Sequence, residues 1–170
     1  MQRVAVVGSG GAGKTTFATE LGRRTGLPVI HLDRYFWKPG WVSLPPDEWR
    51  TTQRALLAGD RWVVDGNYGA TFDLRLARAD TVIVLSLPRW RCLLRVLRRW
   101  WGNRGRAVQA DGCPEHFDWA FLRWVWRYPV ESKVRLDAAL AQFEGRVRVV
   151  ELTSPSAAQA FLERSTEAAA

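Results

Sequence analysis

Short apolar runs alternate with amphipathic stretches along most of the chain. Gln2 to Val7 is a β-branched run stopped by glycine, and the helical pattern of Thr15 to Arg24 that follows ends at Gly26 and Pro28. Val29, Ile30 and Leu32 make a second short strand, and Asp33 to Pro46 reads as a loop rich in aromatics and proline. Asp47 then caps a helix running to Ala58, before a third strand at Arg61 to Val64 that ends in Asp65-Gly66. Thr81 to Leu87, stopped by Pro88, is a fourth strand; like the third, it is too apolar to face water. Arg89 to Trp101 has helical spacing, Gly102 to Pro114 reads as a loop, and Glu115 to Phe143 is mostly helix with a bend at Tyr128-Pro129, where proline removes a backbone donor. Val147 to Leu152 is a fifth strand. Thr153 or Ser154, with Pro155 next, opens a last helix to about Arg164, and the Ala-rich end is expected to fray.

Strands alternating with helices predict an α/β fold with a parallel sheet covered on both faces by right-handed crossovers. With no internal repeat and no linker, residues 1–170 read as one domain, most mobile around residues 100 to 115.

Composition agrees with a globular domain: 47% of the 170 residues are apolar and 25% charged. The longest uncharged stretch, Leu152 to Leu162, is eleven residues, short of the roughly 20 that cross a bilayer. The apolar start runs into glycines rather than a long signal core, and two cysteines make no disulfide framework. The expectation is a cytoplasmic protein, monomeric or homodimeric, without a membrane partner. The net charge of +8 is local: Arg89, Arg91, Arg95, Arg98, Arg99, Arg104 and Arg106 occur with no acid among them, and the rest of the chain carries +1.

Gly8-Ser9-Gly10-Gly11-Ala12-Gly13-Lys14-Thr15, followed by Thr16, matches GxxxxGK[ST] between a predicted strand and a predicted helix, the context that motif requires. Glycines let backbone N–H groups turn inward around phosphates and the helix N-terminus adds its dipole; Lys14 reaches the β and γ phosphates and Thr15 offers its hydroxyl to Mg²⁺. The implied ligands are ATP, or another nucleoside triphosphate, and Mg²⁺.

Two carboxylates fall at the sheet edge where parallel sheets bind ligands. Asp33 is placed to orient an acceptor hydroxyl and take its proton, or else caps a turn or pairs with Arg34. Asp65 is the candidate outer-shell Mg²⁺ carboxylate, or a plain Asp-Gly turn. Tyr35, Trp37 and Trp41 can wall a flat acceptor, and Gly66, Asn67 and Tyr68 can contact it. Arg95, Arg99 and Arg104 are the candidates for closing over transferred phosphate, from a lid at about residues 98–116. Phe117, Trp119, Phe121, Trp124 and Trp126 are expected to be core. Trp100 and Trp101 beside arginines suit stacking on bases, which leaves a nucleic-acid-associated NTPase as an alternative; a nucleotide-dependent switch with a protein partner is another. Cys92, Cys113, His31 and His116 offer zinc-ligand chemistry, but with no CxxC pair and irregular spacing; Cys92 reads as a buried apolar residue.

On these motifs the chain resembles the small P-loop kinases of the adenylate kinase-like group, and among them the bacterial FlaR-like or topology modulation proteins. The matching pieces are GSGGAGKTT at Gly8 to Thr16, HLD at His31 to Asp33 with Trp37 to Trp41, VVDGNYGAT at Val63 to Thr71, and the arginine helix running into FLRWVWRYP at Phe121 to Pro129. DRYFWKP also looks like the DDFYKP stretch of nucleoside and nicotinamide riboside kinases, which implies that Asp33 contacts the accepting hydroxyl. Asn67-Tyr68-Gly69 replaces the phenylalanine, proline and arginine that follow Asp-Gly in adenylate kinases, and Ser86 stands where many relatives have aspartate; the first departure argues against AMP as acceptor. The implied protein is a P-loop NTPase with a five-stranded parallel sheet in the order 2-3-1-4-5, moving the γ phosphate of ATP to a hydroxyl of a nucleoside-like or other small molecule.

Overall fold

A computed structural model describes residues 1–167. The five strands β1 (Arg3–Gly8), β2 (Val29–His31), β5 (Trp62–Asp65), β6 (Thr81–Leu85) and β7 (Arg148–Leu152) form one parallel sheet in the order β2-β5-β1-β6-β7. Counting these strands alone, that is the expected order 2-3-1-4-5, and the molecule has the α/β P-loop NTPase fold. The remaining strands, β3 (Trp37–Lys38) and β4 (Val42–Ser43), make a small antiparallel hairpin.

The central strand β1 shows why the layers form. Val4 and Val6 face one side, where Phe17 and Leu21 of α1 (Lys14–Thr25), Val96 of α5 (Arg89–Gly102), Val125 of α6 (Trp119–Arg127) and Phe161 of α8 (Pro155–Glu167) cover them. Ala5 and Val7 face the other, under Trp49 of α3 (Pro46–Leu56), Leu76 of α4 (Phe72–Leu76) and Leu136 of α7 (Ser132–Ala141). Alternate side chains of a strand point to opposite faces, so a strand apolar at every position is buried from both sides. Among the described residues no helix is long and apolar enough to cross a membrane.

Several boundaries differ from the sequence reading. The stretch 33–46 is not a plain loop: Asp33–Phe36 forms one helical turn, α2, and the hairpin follows. Helix α3 opens at Pro46 behind Pro45 and places Asp47 in its first turn, because proline fits the first helical position and loses no needed donor. The fourth strand ends at Leu85. A 3₁₀ turn at Gly69–Thr71 and α4 fill the segment between Asp65 and β6, for which no element was expected. Residues 115–118 are extended rather than helical, since Glu115 bridges Arg104 and Pro114 bridges Ala107; α6 and α7 are separate helices on either side of Pro129. Phe121 and Trp124 pack on the core as expected, whereas Phe117, Trp119 and Trp126 are exposed. Fraying of the Ala-rich end concerns residues 168–170, outside the described residues.

Helix α1 can approach β2 only because position 22 has no side chain: a Cβ on Gly22 would lie 2.2 Å from Val29 Cγ2 and 2.9 Å from the Leu27 carbonyl oxygen. Gly22→Ala is expected to destabilise the protein by about 1–3 kcal/mol despite alanine's better helix propensity. Urea unfolding measures this, and an unchanged or raised midpoint would contradict it.

Candidate active site

The loop between β1 and α1 is shaped by what presses on it. Gly11 sits at φ +76°, and a Cβ there would come within 2.3 Å of the Cys92 carbonyl oxygen. A Cβ on Gly10 would meet Phe121 Cζ at 2.6 Å. Helices α5 and α6 therefore form the back wall of the loop and require glycine at both positions. Lys14 donates from Nζ to the Ser9 carbonyl oxygen at 2.9 Å, and burial lowers its pKa against the raising influence of Asp33 and Asp65. Ser9 Oγ is buried without a hydrogen-bond partner among the described residues. A half-buried cation and a buried, unpartnered hydroxyl on a glycine-rich loop suit a polyanion such as a triphosphate.

At the second residue of α1, the Thr15 hydroxyl donates to Asp65 Oδ2 at 2.8 Å. Asp65, at the end of β5 and only 4% exposed, holds His31 Nδ1 with its other oxygen at 2.6 Å. Hydroxyl and carboxylate oxygens are the donor set preferred by a hard cation such as Mg²⁺, and Thr15 and Asp65 are the residues here that could hold one. Among the described residues no group of three or more His, Cys, Asp or Glu could hold a metal ion, so His31, Cys92, Cys113 and His116 do not assemble a zinc site.

Asp33 opens α2 beside the loop. It does not pair with Arg34: Tyr68 donates to its Oδ1 at 2.5 Å, leaving Oδ2 for a ligand. Burial and the Asp33 carboxylate push the Tyr68 phenol well above its usual pKa, so it stays a donor. The turn carrying Tyr68 is held from behind by Arg75, 1% exposed, which donates to the carbonyl oxygens of Gly66 and Tyr68, each at 2.6 Å. Burial lowers the Arg75 pKa to about 10. Asn67 Oδ1 accepts from Tyr128 at 3.1 Å.

A cavity of about 1550 Å³ joins Lys14, Thr15, His31, Asp33, Asn67 and Tyr68, while Gly8, Ser9, Asp65 and Arg75 stand behind its lining. It exceeds the roughly 300–1,000 Å³ of a pocket for one small ligand. Lys14, Thr15, Thr16, Asp33, Trp37, Trp41, Gly66, Asn67, Tyr68, Arg95 and Arg99 all line it. Tyr35 and Arg104 do not: Tyr35 is 46% exposed, and Arg104 stacks over Trp100 and Trp101 at 4.8 and 5.3 Å. Arg95 reaches the Ala12 carbonyl oxygen at 3.3 Å, and Arg99 pairs with buried Glu115 at 3.1 Å.

Over the cavity, the 102–118 segment is fastened to the hairpin. Gly40 N–H donates to the Gly112 carbonyl, Trp41 Nε1 to Pro114 and Cys113 Sγ to Lys38, at 2.9, 2.9 and 3.2 Å. Trp41 holds φ +62°, an unusual conformation for a side chain of this size, and its indole bond and ring contacts with Trp37 and His116 keep it there.

The chain has the fold of the small P-loop kinases. A family model described as isopentenyl transferase matches residues 1–73, from β1 through the loop, the hairpin and Asp65 to the start of α4. Shikimate kinase from Acinetobacter baumannii, solved with shikimate, superposes with a TM-score of 0.59 at 18% identity, covering 99% of this chain and 94% of that one. Shikimate kinase from Bacteroides thetaiotaomicron gives 0.56 at 15%, covering 98% and 97%, and a gluconokinase from Sinorhizobium meliloti 0.50 at 18%, covering 98% and 94%. No curated protein matches the sequence.

Sequence reasoning missed Arg75, which it left in an unassigned segment, and weighed His31 only as a zinc ligand. An arginine inside the apolar run Phe72 to Ala79 is the signal that marks the first, and a histidine two residues before the edge carboxylate marks the second. Arg75→Met leaves the Gly66 and Tyr68 carbonyls without their donor, a loss of about 1–3 kcal/mol that relief of the buried charge offsets only in part. Chemical denaturation reads it; a variant as stable as the parent would show that the turn does not depend on Arg75.

Proposed function

We propose that this protein is an ATP-dependent phosphotransferase that moves the γ phosphate to a hydroxyl of a nucleoside-like or other small molecule. The observation that carries the reading is the Asp33 carboxylate, which opens into the same cavity as Lys14 and Thr15 with one oxygen anchored by Tyr68 and the other left for an acceptor. In this reading residues 1–170 work as one P-loop domain in the cytoplasm, with residues 98–116 as its lid.

Backbone amides of Gly8 to Thr16 and the Lys14 ammonium bind the triphosphate and neutralise charge as the γ group departs. Thr15 and Asp65 would hold Mg²⁺, which would supply positive charge to the triphosphate. Asp33 Oδ2 accepts a hydrogen bond from the acceptor hydroxyl and takes its proton as that oxygen bonds to phosphorus; the bond between phosphorus and the bridging oxygen breaks, releasing ADP. Gly66, Asn67 and Tyr68 shape the acceptor end, and Trp37 and Trp41 wall it. Arg95 and Arg99 approach the phosphates from α5, while Arg104 supports the lid through Trp100 and Trp101. The lid excludes water, so that transfer outruns hydrolysis.

Incubating the protein with ATP, Mg²⁺ and a panel of nucleosides, sugars and cyclitols should yield a product heavier by one phosphoryl group, seen by mass spectrometry and absent with Lys14→Ala. Asp33→Asn should keep ATP affinity and slow transfer by about 10²-fold or more. Hydrolysis alone, or a product heavier by an isopentenyl group from an isopentenyl-type diphosphate donor, would overturn the reading.

A further inference from the structure

Helix α5 has a second face that the cavity does not use. Its Cys92 and Val96 point into the core and its Arg95 and Arg99 toward the phosphate loop side. Along the outside, Trp90, Leu94, Leu97 and Trp101 recur at i, i+4, i+7 and i+11 and form one stripe, with Trp101 70% exposed. Leu97 borders the cavity rim as well. Helix α6, packed beside α5, repeats the spacing at Trp119, Arg123 and Trp126, with Trp119 72% exposed, and exposed Val130 follows in the turn after the helix.

The two stripes adjoin. Arg89 lies over the Trp126 ring at 4.4 Å, and Trp90 and Val130 border one shallow groove. Ring contacts from Trp100 to Phe117 and from Phe117 to Trp119 join the other ends. The outcome is a continuous apolar face of indoles and aliphatic side chains, which is costly to leave in water and marks an interaction surface.

Its rim decides what fits. Of the seven arginines between residues 89 and 106, Arg95 and Arg99 turn to the loop side, which leaves Arg89, Arg91, Arg98, Arg104 and Arg106 with no acid among them in the sequence. On α6, Arg123 adds a further cation, whereas Arg127 is paired with Glu131, and Asp118 is turned to the helix N-terminus, where it accepts from the Phe121 N–H. A second copy docked by a two-fold axis would set these arginines against themselves, which like-charge repulsion opposes. A nucleic acid would satisfy the arginines but leave Leu94, Leu97 and Val130 against phosphate and sugar. An anionic bilayer takes both: indoles sit at the interface, aliphatic chains enter the acyl boundary, and guanidinium groups meet headgroup phosphates.

We propose that the outer face of α5 and α6 docks this protein on the surface of an anionic lipid bilayer. The face lies flat on the bilayer: α5 has 14 residues, about 21 Å of helix, and does not cross. This assignment is independent of the phosphotransfer reading.

The test is co-sedimentation of the full chain with vesicles of phosphatidylcholine alone and of phosphatidylcholine mixed with phosphatidylglycerol. Binding is expected only to the mixed vesicles, weakening as salt is added. The double variants Trp101→Ser with Trp119→Ser, and Arg91→Glu with Arg98→Glu, should each weaken it by about 10-fold or more while the protein keeps its unfolding midpoint. If one pair fails to fold, the other decides. No binding to mixed vesicles overturns the proposal, as does equal binding to both vesicle types or binding unchanged in a folded variant. Retention on single-stranded DNA, or dimerisation lost in the tryptophan variant, with no vesicle binding, would hand the face to nucleic acid or to a second copy and likewise overturn it.

Discussion

One buried carboxylate ties the site together. Asp65 ends the strand beside β1, holds the Thr15 hydroxyl with one oxygen and His31 with the other, and so links three elements that are far apart in sequence. Thr15 follows the loop lysine and His31 lies two residues before Asp33, so the same group ties the Lys14 end of the cavity to its Asp33 end. A carboxylate this buried is stable only while both partners remain, because an unmatched buried charge costs several kcal/mol, on the order of 3–5. The spacing between the two ends is therefore a property of the sheet, and rigid strands set it more closely than a loop would.

Around that point the protein layers its chemistry by distance from the sheet. The phosphate loop has glycine at positions 10 and 11 because α6 and α5 leave no room for anything else, which places Arg95 and Arg99 of α5 beside the loop. The turn after β5 is held from below by Arg75 and presents Tyr68 to Asp33 from above. Farther out, the hairpin and the 102–118 segment fasten to each other at three backbone carbonyls, reached by the Gly40 N–H, the Trp41 indole and the Cys113 thiol.

The parts of this architecture set by local chemistry were readable from residues alone. Five short β-branched runs bounded by glycine and proline, and a loop motif between a strand and a helix, are enough to place the sheet and the loop, and the family resemblance supplied the strand order. Side-chain direction was not readable. Tyr35 and Trp37 are two residues apart, yet only Trp37 lines the cavity, because the single turn of α2 ends between them. Arg99 and Arg104 both carry lid-like charge, but Arg104 is drawn onto two indoles five residues later. The hairpin escaped notice because strands of two residues have no period to detect, and the extended stretch at Glu115 because its pairing partners lie in a loop. The hydrogen-bond donor to Asp33 lies 35 residues away at Tyr68, beyond the reach of any local pattern.

The central claim is that Asp65, through Thr15, prepares the loop for a metal-bound triphosphate. Calorimetric titration of ATP into the protein with and without Mg²⁺ tests it directly when repeated on Asp65→Asn. The account predicts that Mg²⁺ tightens ATP binding to the parent protein, and that the variant retains the metal-free affinity but loses that gain. An equal gain from Mg²⁺ in both proteins would contradict it.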